Sequence, residues 1–535
     1  MVNELAVIER LQIPASFTVY KKGSLYYAKS FGEGVADIPG NADAAIVIQN
    51  AINALTSGGL IMVKAGTYQL LRAILVNKSN LIIKGEGVEN TKFLTSFTGG
   101  TPDNAFAIGL GLTSGTGNTT GSITDVMLAD FTIDMQQTAS ILAGSPDEKY
   151  GNCILALGCQ RVTIRNVRAR NCHTHNIYFR LTDTTTDPSS PAKNVLKNNS
   201  IEDCISENAM LGMYYDAISA YPTNARYGTG NKMINCTAKQ DWATYSLASQ
   251  TNGQGFADWG NIATMFVNCH AEGYTPNPSI PANTQYGGFT FEGKGSPVMI
   301  SCSAYNCYYG IRPNVSGGGG GIGAQITDFS TLFVRYPVSL QGGSDDDIII
   351  NGLVASNLSD AISLAAGVVL HVNYQASNVG SLIAMNVRGI RDSNINQFGV
   401  VTGNDAILQT VGSAAKSIQL IGGDQTSLLV GPAITTRPTF LKIEKIRGYN
   451  PQGWATASPS VPASGVDQQN TFGYPVFVYI TGLGTGISAV GITDNAATLQ
   501  SFTRTGEIGD FYRLEPGDKI RLTYTGSPTW KWYGL

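Results

Sequence analysis

The sequence predicts an all-β solenoid, and three observations carry that expectation. Landmarks recur at an interval of 33 residues, short apolar strands alternate with turn residues from about 120 to 410, and no helix-length pattern interrupts them. Composition agrees. Of 535 residues, 62 are glycine and only 14% are charged, as many tight turns between many short strands require. A chain of 535 residues is too long for one compact core of ordinary design but not for an elongated repeat.

In chain order, residues 1–40 read as an N-terminal extension and 41–445 as the solenoid. The stretch "NADAAIVIQNAINALTSGGLIMV" (41–63) holds the one convincing helix. Ile48, Ala51, Ile52 and Leu55 fall at i, i+3, i+4 and i+7, which makes one apolar stripe. Asn41 or Asp43 can cap its start, and Gly58 with Gly59 can end it. Strands follow at once in "LIMVKAG", "TYQLL" and "NLIIKGEG". The helix serves as an N-terminal cap, because an open solenoid end is an unpaired sheet edge.

The repeat is fixed by counting. Phe256 precedes Cys269 by 13 residues, and Phe289 precedes Cys302 by 13. The less regular blocks "NIYFR", "GMYYD" and "GIRPN" join the same column through Ile177, Met213 and Ile311. Cys236, Cys269 and Cys302 mark one position of the coil; Cys172, Cys204 and Cys307 mark a second, about five residues after the first. A small, polarizable side chain suits an inward ladder with neighbours about 4.8 Å apart. A disulfide between coils is the other structural option at that spacing.

Charge and motifs exclude several functions. Net charge is −3 and no Lys/Arg-rich run exists, so nucleic acid is not an expected partner. No run of eighteen apolar residues occurs, so membrane insertion is not expected. Glu4, Glu9 and Arg10 interrupt the N-terminus where a signal peptide needs an unbroken apolar stretch. The eight cysteines lie between Cys153 and Cys307 with no CxxC pair, and His173, His175, His270 and His371 do not complete zinc spacing. No metal or other cofactor is expected. The run "SDDD" (344–347) suits calcium or, equally, a polar turn. "SGGGGGIG" (316–323) has no helix after it and reads as a loop.

The stretch "DAAIVIQNAINAL…GGLIMVKAGTYQL…NLIIKGEG" (43–87) resembles the opening of the pectate-lyase-like, right-handed parallel β-helix superfamily. The likeness continues through "ADFTIDM" (129–135), "GCQRVTIRNVRARNC" (158–172) and the 33-residue coils, over about 30–410. It implies a right-handed parallel β-helix and a set of activities that spans lyases, hydrolases, epimerases, viral tailspikes and inert surface proteins. It also implies a homotrimer. The acidic clusters of the polygalacturonase-like hydrolases and the calcium-site aspartates of pectate lyases are not found here, which argues against pectin. Residues 446–470 read as a linker, and 471–535 as a small β-sandwich similar to C-terminal modules of surface and virion fibre proteins.

With Ile177, Met213, Phe256, Phe289 and Ile311 inward, alternation sends two columns outward. One reads Tyr178, Tyr214, Ala257, Thr290, Arg312; the next reads Arg180, Asp216, Trp259, Glu292, Asn314. Aromatic rings beside polar groups suit sugars, so Tyr178, Arg180, Tyr214, Trp259 and Arg312 are the candidate glycan contacts. Asp216 and Glu292 lie two coils apart, roughly 10 Å at Cα by strand spacing, admissible for an inverting carboxylate pair. Asp258 is the reserve catalytic candidate should its strand bulge. His173 and His175 read as a solvated or turn-bonding pair, with proton transfer as the alternative. The expected function is a virion-surface or extracellular, tailspike-like protein that binds polysaccharide along one face, with cleavage as an extension. A dedicated polysaccharide lyase or glycoside hydrolase, and a non-enzymatic fibre or decoration protein, are the alternatives.

Overall fold

The computed structural model describes residues 16–32, 34–95, 106–112, 123–136, 151–172, 174–181, 196–216, 228–241, 252–275, 285–292, 296–314, 323–342, 347–356, 368–374, 381–390, 406–411, 417–424, 440–447, 453–454, 458–472, 475–493, 499–502, 506–515 and 517–534. The chain forms two compact units, 1–325 and 326–535. Both are almost entirely β, and long parallel ladders dominate the first.

In the first unit, part of the segment expected as an extension belongs to the sheet. Phe17–Lys22 and Leu25–Ser30 pair antiparallel, and Phe17–Lys22 also pairs parallel with Gly59–Val63. The helix spans Ala44–Ala54 and buries Ala44, Ala45, Val47, Ile48, Ala51 and Ile52. Asp43 is its cap: the carboxylate accepts from the Ala45 amide at 3.0 Å and from the Leu71 amide at 3.1 Å. The helix stops at Ala54, before the expected glycines. Gly58 serves the strand entry instead, at φ +96, where a Cβ would lie 2.2 Å from the Asn80 carbonyl oxygen.

Three strand sets recur along the ladders, and a fourth of two-residue strands, Leu196–Lys197, Gly228–Thr229 and Asn261–Ile262, joins them in three rungs. The first set includes Leu81–Lys84, Ser200–Glu202, Lys232–Ile234, Met265–Val267 and Val298–Ile300; the second includes Ile205–Glu207, Thr237–Lys239, His270–Glu272 and Ser303–Tyr305. Val126–Asp134 and Thr163–Arg170 run through both sets. The third includes Asn152–Leu157, His175–Arg180, Leu211–Asp216, Asn252–Trp259, Gln285–Glu292 and Tyr309–Asn314. Every pairing within a set is parallel, and Lys232, Met265 and Val298 are successive partners 33 residues apart.

The corners explain the asparagines. Asn166, Asp203, Asn235 and Asn268 sit at φ between +50 and +54, a region Asn and Asp tolerate. Their side chains form a ladder: Asn235 donates to Asp203 at 3.0 Å, and Asn268 to Asn235 at 3.0 Å. At a buried corner Asn199 and Asn231 do the same work, with Asn231 Oδ1 accepting from the Asn199 backbone amide at 3.0 Å.

Cys204, Cys236, Cys269 and Cys302 form one inward column, which corrects the placement of Cys204 with Cys172 and Cys307. Ile201 and Met233 are register partners, and each cysteine follows its partner strand at the same offset. Each thiol donates to a carbonyl one rung back: Cys236 to Ile201 at 3.4 Å, Cys269 to Met233 at 3.4 Å, Cys302 to Phe266 at 3.4 Å. All eight cysteines are buried and unbridged. Burial pushes the Cys236 and Cys269 thiols well up, and Cys307 up to about 12. Thiolate is the reactive form, so iodoacetamide at mild alkaline pH is expected to label none of the eight in the native chain and all of them in denaturant. Mass spectrometry of the intact protein reads the count.

In the second unit, Asp347–Ser356, Ser381–Ile390, Ser417–Asp424 and Phe440–Arg447 pair parallel, as do Tyr336–Gly342, Val368–Tyr374 and Ala406–Val411. The C-terminal part is two four-stranded antiparallel sheets. They share a core of Val476, Val478, Ile480, Ile487, Val490, Leu514, Ile520, Leu522, Trp530 and Trp532. Much of the segment expected as a linker is built into this part. Gly453–Trp454 pairs with Thr529–Gly534, and Asp467–Gln469 with Lys519–Thr525. Trp530 Nε1 donates to the Pro459 carbonyl at 2.7 Å, so the Pro/Ser-rich composition reflects turns laid on a core rather than free chain.

Candidate functional site

The third strand set carries the site, and its register matches the counting. Ile177, Met213, Phe256, Phe289 and Ile311 are successive partners, all at most 1% exposed. Tyr178, Tyr214, Ala257, Thr290 and Arg312 form the adjoining column, and Arg180, Asp216, Trp259, Glu292 and Asn314 the column beyond it.

Strict alternation fails at one point, and that failure shapes the site. The residue before each anchor also faces inward. Asn176 bonds across the interior, accepting from Cys153 Sγ at 3.2 Å and donating to Ser206 Oγ at 2.8 Å and to the Glu207 carbonyl at 3.0 Å. In the next rungs the same position is Gly212, Gly255 and Gly288. A Cβ on Gly212 would lie 2.4 Å from the Gly255 carbonyl oxygen and 3.0 Å from Ser206 Oγ. A Cβ on Gly255 would meet the Tyr274 ring at 2.9 Å. Two inward residues in succession throw the residue before them onto the same face as the residue after them. His175 therefore joins Tyr178 outside.

The rings stack. His175 and Tyr178 have centroids 4.0 Å apart at 9°, and Tyr178 and Tyr214 5.3 Å apart at 10°. His175 Nδ1 is 2.9 Å from Asn152 Oδ1, which fixes the ring. Tyr178, Leu211, Tyr214 and Ala257 make a cluster outside the interior, and Leu155, Met210 and Trp259 pack against it. The Tyr178 hydroxyl donates to Asp216 Oδ2 at 2.7 Å, and Arg180 Nε lies 3.8 Å from the same oxygen. The Arg312 guanidinium sits 5.4 Å from the Tyr309 ring centroid, a cation–π distance. The Thr290 hydroxyl is fully buried in this column and has no partner among the described residues.

The expected open face is more enclosed than alternation implied. Tyr178, Tyr214, Asp216 and Arg312 are 3–6% exposed, whereas the Arg180 side chain is 42% exposed and Trp259 is half-buried. Stacked rings bury one another, and the Asp216 carboxylate is covered by its donors. Asp258 does not join the face: it lies inside, in register with Tyr215 and Phe291, and accepts from Thr264 Oγ1 at 3.1 Å. Glu292 is in register with Trp259, but its side chain lies outside the described residues, as do His173 and most of "SDDD" and "SGGGGGIG". Among the described residues no group of three His, Cys, Asp or Glu is placed to hold a metal, and no helix is long and apolar enough to cross a membrane.

Sequence reasoning took His175 for a turn residue, whereas it lies in the strand His175–Arg180 and stacks on Tyr178, and it missed the partner Asn152. The signal was present as a Gly or Asn directly before each anchor, in "NIYF", "GMYY", "GFAD", "GFTF" and "GIRP".

No family model and no curated protein matches the sequence. Among solved structures, the chain is similar to an N-terminal fragment of gene product 12 of bacteriophage phi29, at 16% identity and a TM-score of 0.46, over 76% of this chain and 68% of that one. It is similar to DFA-IIIase of Arthrobacter chlorophenolicus A6 without its lid, at 12% identity and a TM-score of 0.46, over 74% and 95% of the two chains. It is also similar to the catalytic unit of a thermostable alpha-1,3-glucanase from Streptomyces thermodiastaticus strain HF3-3, at 12% identity and a TM-score of 0.42, over 76% and 65%.

Proposed function

We propose that the chain is a right-handed parallel β-helix protein of a virion or cell surface that binds polysaccharide along its third strand set. The observation that carries this reading is one strip across consecutive rungs in which the stacked Tyr178 and Tyr214, together with Trp259, border Arg180 and Asp216. Sugars present apolar ring faces and hydroxyl edges, and such a strip offers both kinds of surface at a repeating distance. Parallel crossovers within one sheet are right-handed in nearly every protein, which supports the hand. Arg180 and Trp259 are the accessible members and make first contact. The buried Tyr178–Asp216 pair lies beside Arg180, 3.8 Å from its guanidinium. A homotrimer is part of the proposal, and sedimentation equilibrium tests it. No cofactor and no nucleic acid enter it.

A second reading, cleavage of the bound glycan, is favoured by the Asp216 carboxylate set between a phenol and a guanidinium. In its charged form Asp216 would act as a base or stabilise positive charge, and the proton donor would come from Glu292. A glycan array read with a reducing-end assay tests both. Retention of a polysaccharide supports binding, and new reducing ends that persist after substitution of Asp216 and Glu292 would remove these two from any cleavage.

A further inference from the structure

We infer that the chain carries a second ligand site, at the corner between the second and third strand sets, which takes a small polyhydroxy molecule such as a saccharide unit. A cavity of about 580 Å³ lies there, lined by Glu207, Asn208, Lys239, Gln240, Asp241 and Glu272, with Gly273, Thr275 and Asn306. Its size falls within the range of small-molecule sites. None of its residues belongs to the strip described above.

The cavity opens where a side-chain ladder stops. Asn171, Asn208, Gln240, Gly273 and Asn306 occupy one corner position in successive rungs, since each of the first four backbone amides bonds the carbonyl just before the next corner residue. Asn171 donates to Asp134 at 3.0 Å and Asn208 donates to Asn171 at 3.1 Å. Gln240 does not continue the series. Asn208 Oδ1 accepts instead from the Asp241 backbone amide at 3.1 Å. No side chain fits at Gly273, where φ is +82 and a Cβ would lie 2.1 Å from the Gln240 carbonyl oxygen. The gap is therefore imposed by the backbone.

Gln240 supplies the second observation. Its residue is 6% exposed, and neither its amide nitrogen nor its amide oxygen has a hydrogen-bond partner among the described residues. A buried amide without partners forfeits the hydrogen bonds that water gave it, and few native side chains carry that cost without a role. A ligand hydroxyl both donates and accepts, so one hydroxyl pair would satisfy both ends of the amide. The rest of the wall alternates in the same way. Carboxylates at Glu207, Asp241 and Glu272 accept, while Lys239 donates and Thr275 and the asparagine amides do both. An anion fits poorly, because three carboxylates face one lysine and Lys239 Nζ already lies 3.2 Å from Glu272. A divalent cation fits poorly too, because Glu207 is held in a two-point pair by Arg168 at 2.8 Å on each oxygen.

Ligand-observed saturation-transfer NMR on the full chain tests the site, with the methyl glycosides of glucose, galactose, mannose and N-acetylglucosamine as probes and inorganic phosphate and calcium as competitors. With the strip disabled by Trp259→Ala, the expected result is saturation of at least one glycoside, weakened about tenfold or more when Gln240→Leu is added, and unaffected by phosphate or calcium. If Gln240→Leu does not fold, Thr275→Val replaces it, with a smaller loss expected. The proposal is overturned if no glycoside is saturated, if both variants bind as the Trp259→Ala chain does, if Trp259→Ala alone abolishes the signal, or if phosphate or calcium displaces the glycoside.

Discussion

Gly212→Val is expected to lower the urea midpoint of the first unit by the equivalent of about 3 kcal/mol or more, the range of severe overpacking. The Cβ alone would lie 2.4 Å from the Gly255 carbonyl oxygen, which is backbone and cannot swing aside. Ser206 Oγ at 3.0 Å and the Tyr274 hydroxyl at 3.2 Å close the other directions. The valine methyl groups would force the strand Leu211–Asp216 away from Asn252–Trp259 and break their parallel ladder. Far-ultraviolet circular dichroism against urea reads the effect. A midpoint equal to that of the parent would mean that the second inward residue of each rung does not exist as described.

That residue also marks how far the sequence was legible. The rung length and the register of five successive anchors followed from counting, because Phe256–Cys269 and Phe289–Cys302 share one spacing. The helix was legible because Asp43 and a 3.6-residue apolar stripe are local signals. What alternation could not supply was the extra inward residue. A glycine column is a packing signal between rungs, not a periodicity within one strand, so a period-two reading passes over it, and His175 was left as a turn residue. The burial of Tyr178 and Asp216 was hidden for a similar reason. It depends on ring stacking and on a hydrogen bond between residues 38 apart, and neither leaves a trace in a local pattern. Cys204 was misplaced because spacing alone cannot say which of two corners a cysteine follows, whereas strand pairing can.

Asp216→Ala is expected to cost about 2–3 kcal/mol of stability, the worth of a buried hydrogen bond to a charged group. The Tyr178 hydroxyl, on a residue 3% exposed, loses its acceptor. The ion pair with Arg180 adds little, since that side chain is 42% exposed and the contact is 3.8 Å. Asp216→Asn keeps an acceptor and should recover much of the loss. Tyr178→Phe combined with Asp216→Ala should cost less than the sum of the two single changes, because both remove the same bond. Additive costs in urea titrations would show that the bond contributes nothing.

The claim that the third strand set is a glycan-binding face rests most heavily on Trp259, the accessible aromatic beside Arg180 and Asp216. Its direct test is the dissociation constant of the parent and of Trp259→Ala for whichever polysaccharide the array retains, measured by isothermal titration calorimetry on chains with matching circular dichroism. Loss of an aromatic anchor at a binding centre costs about 2 kcal/mol or more, so affinity should fall roughly thirtyfold. Equal affinity of the two proteins, or retention of no polysaccharide by the parent, would contradict it.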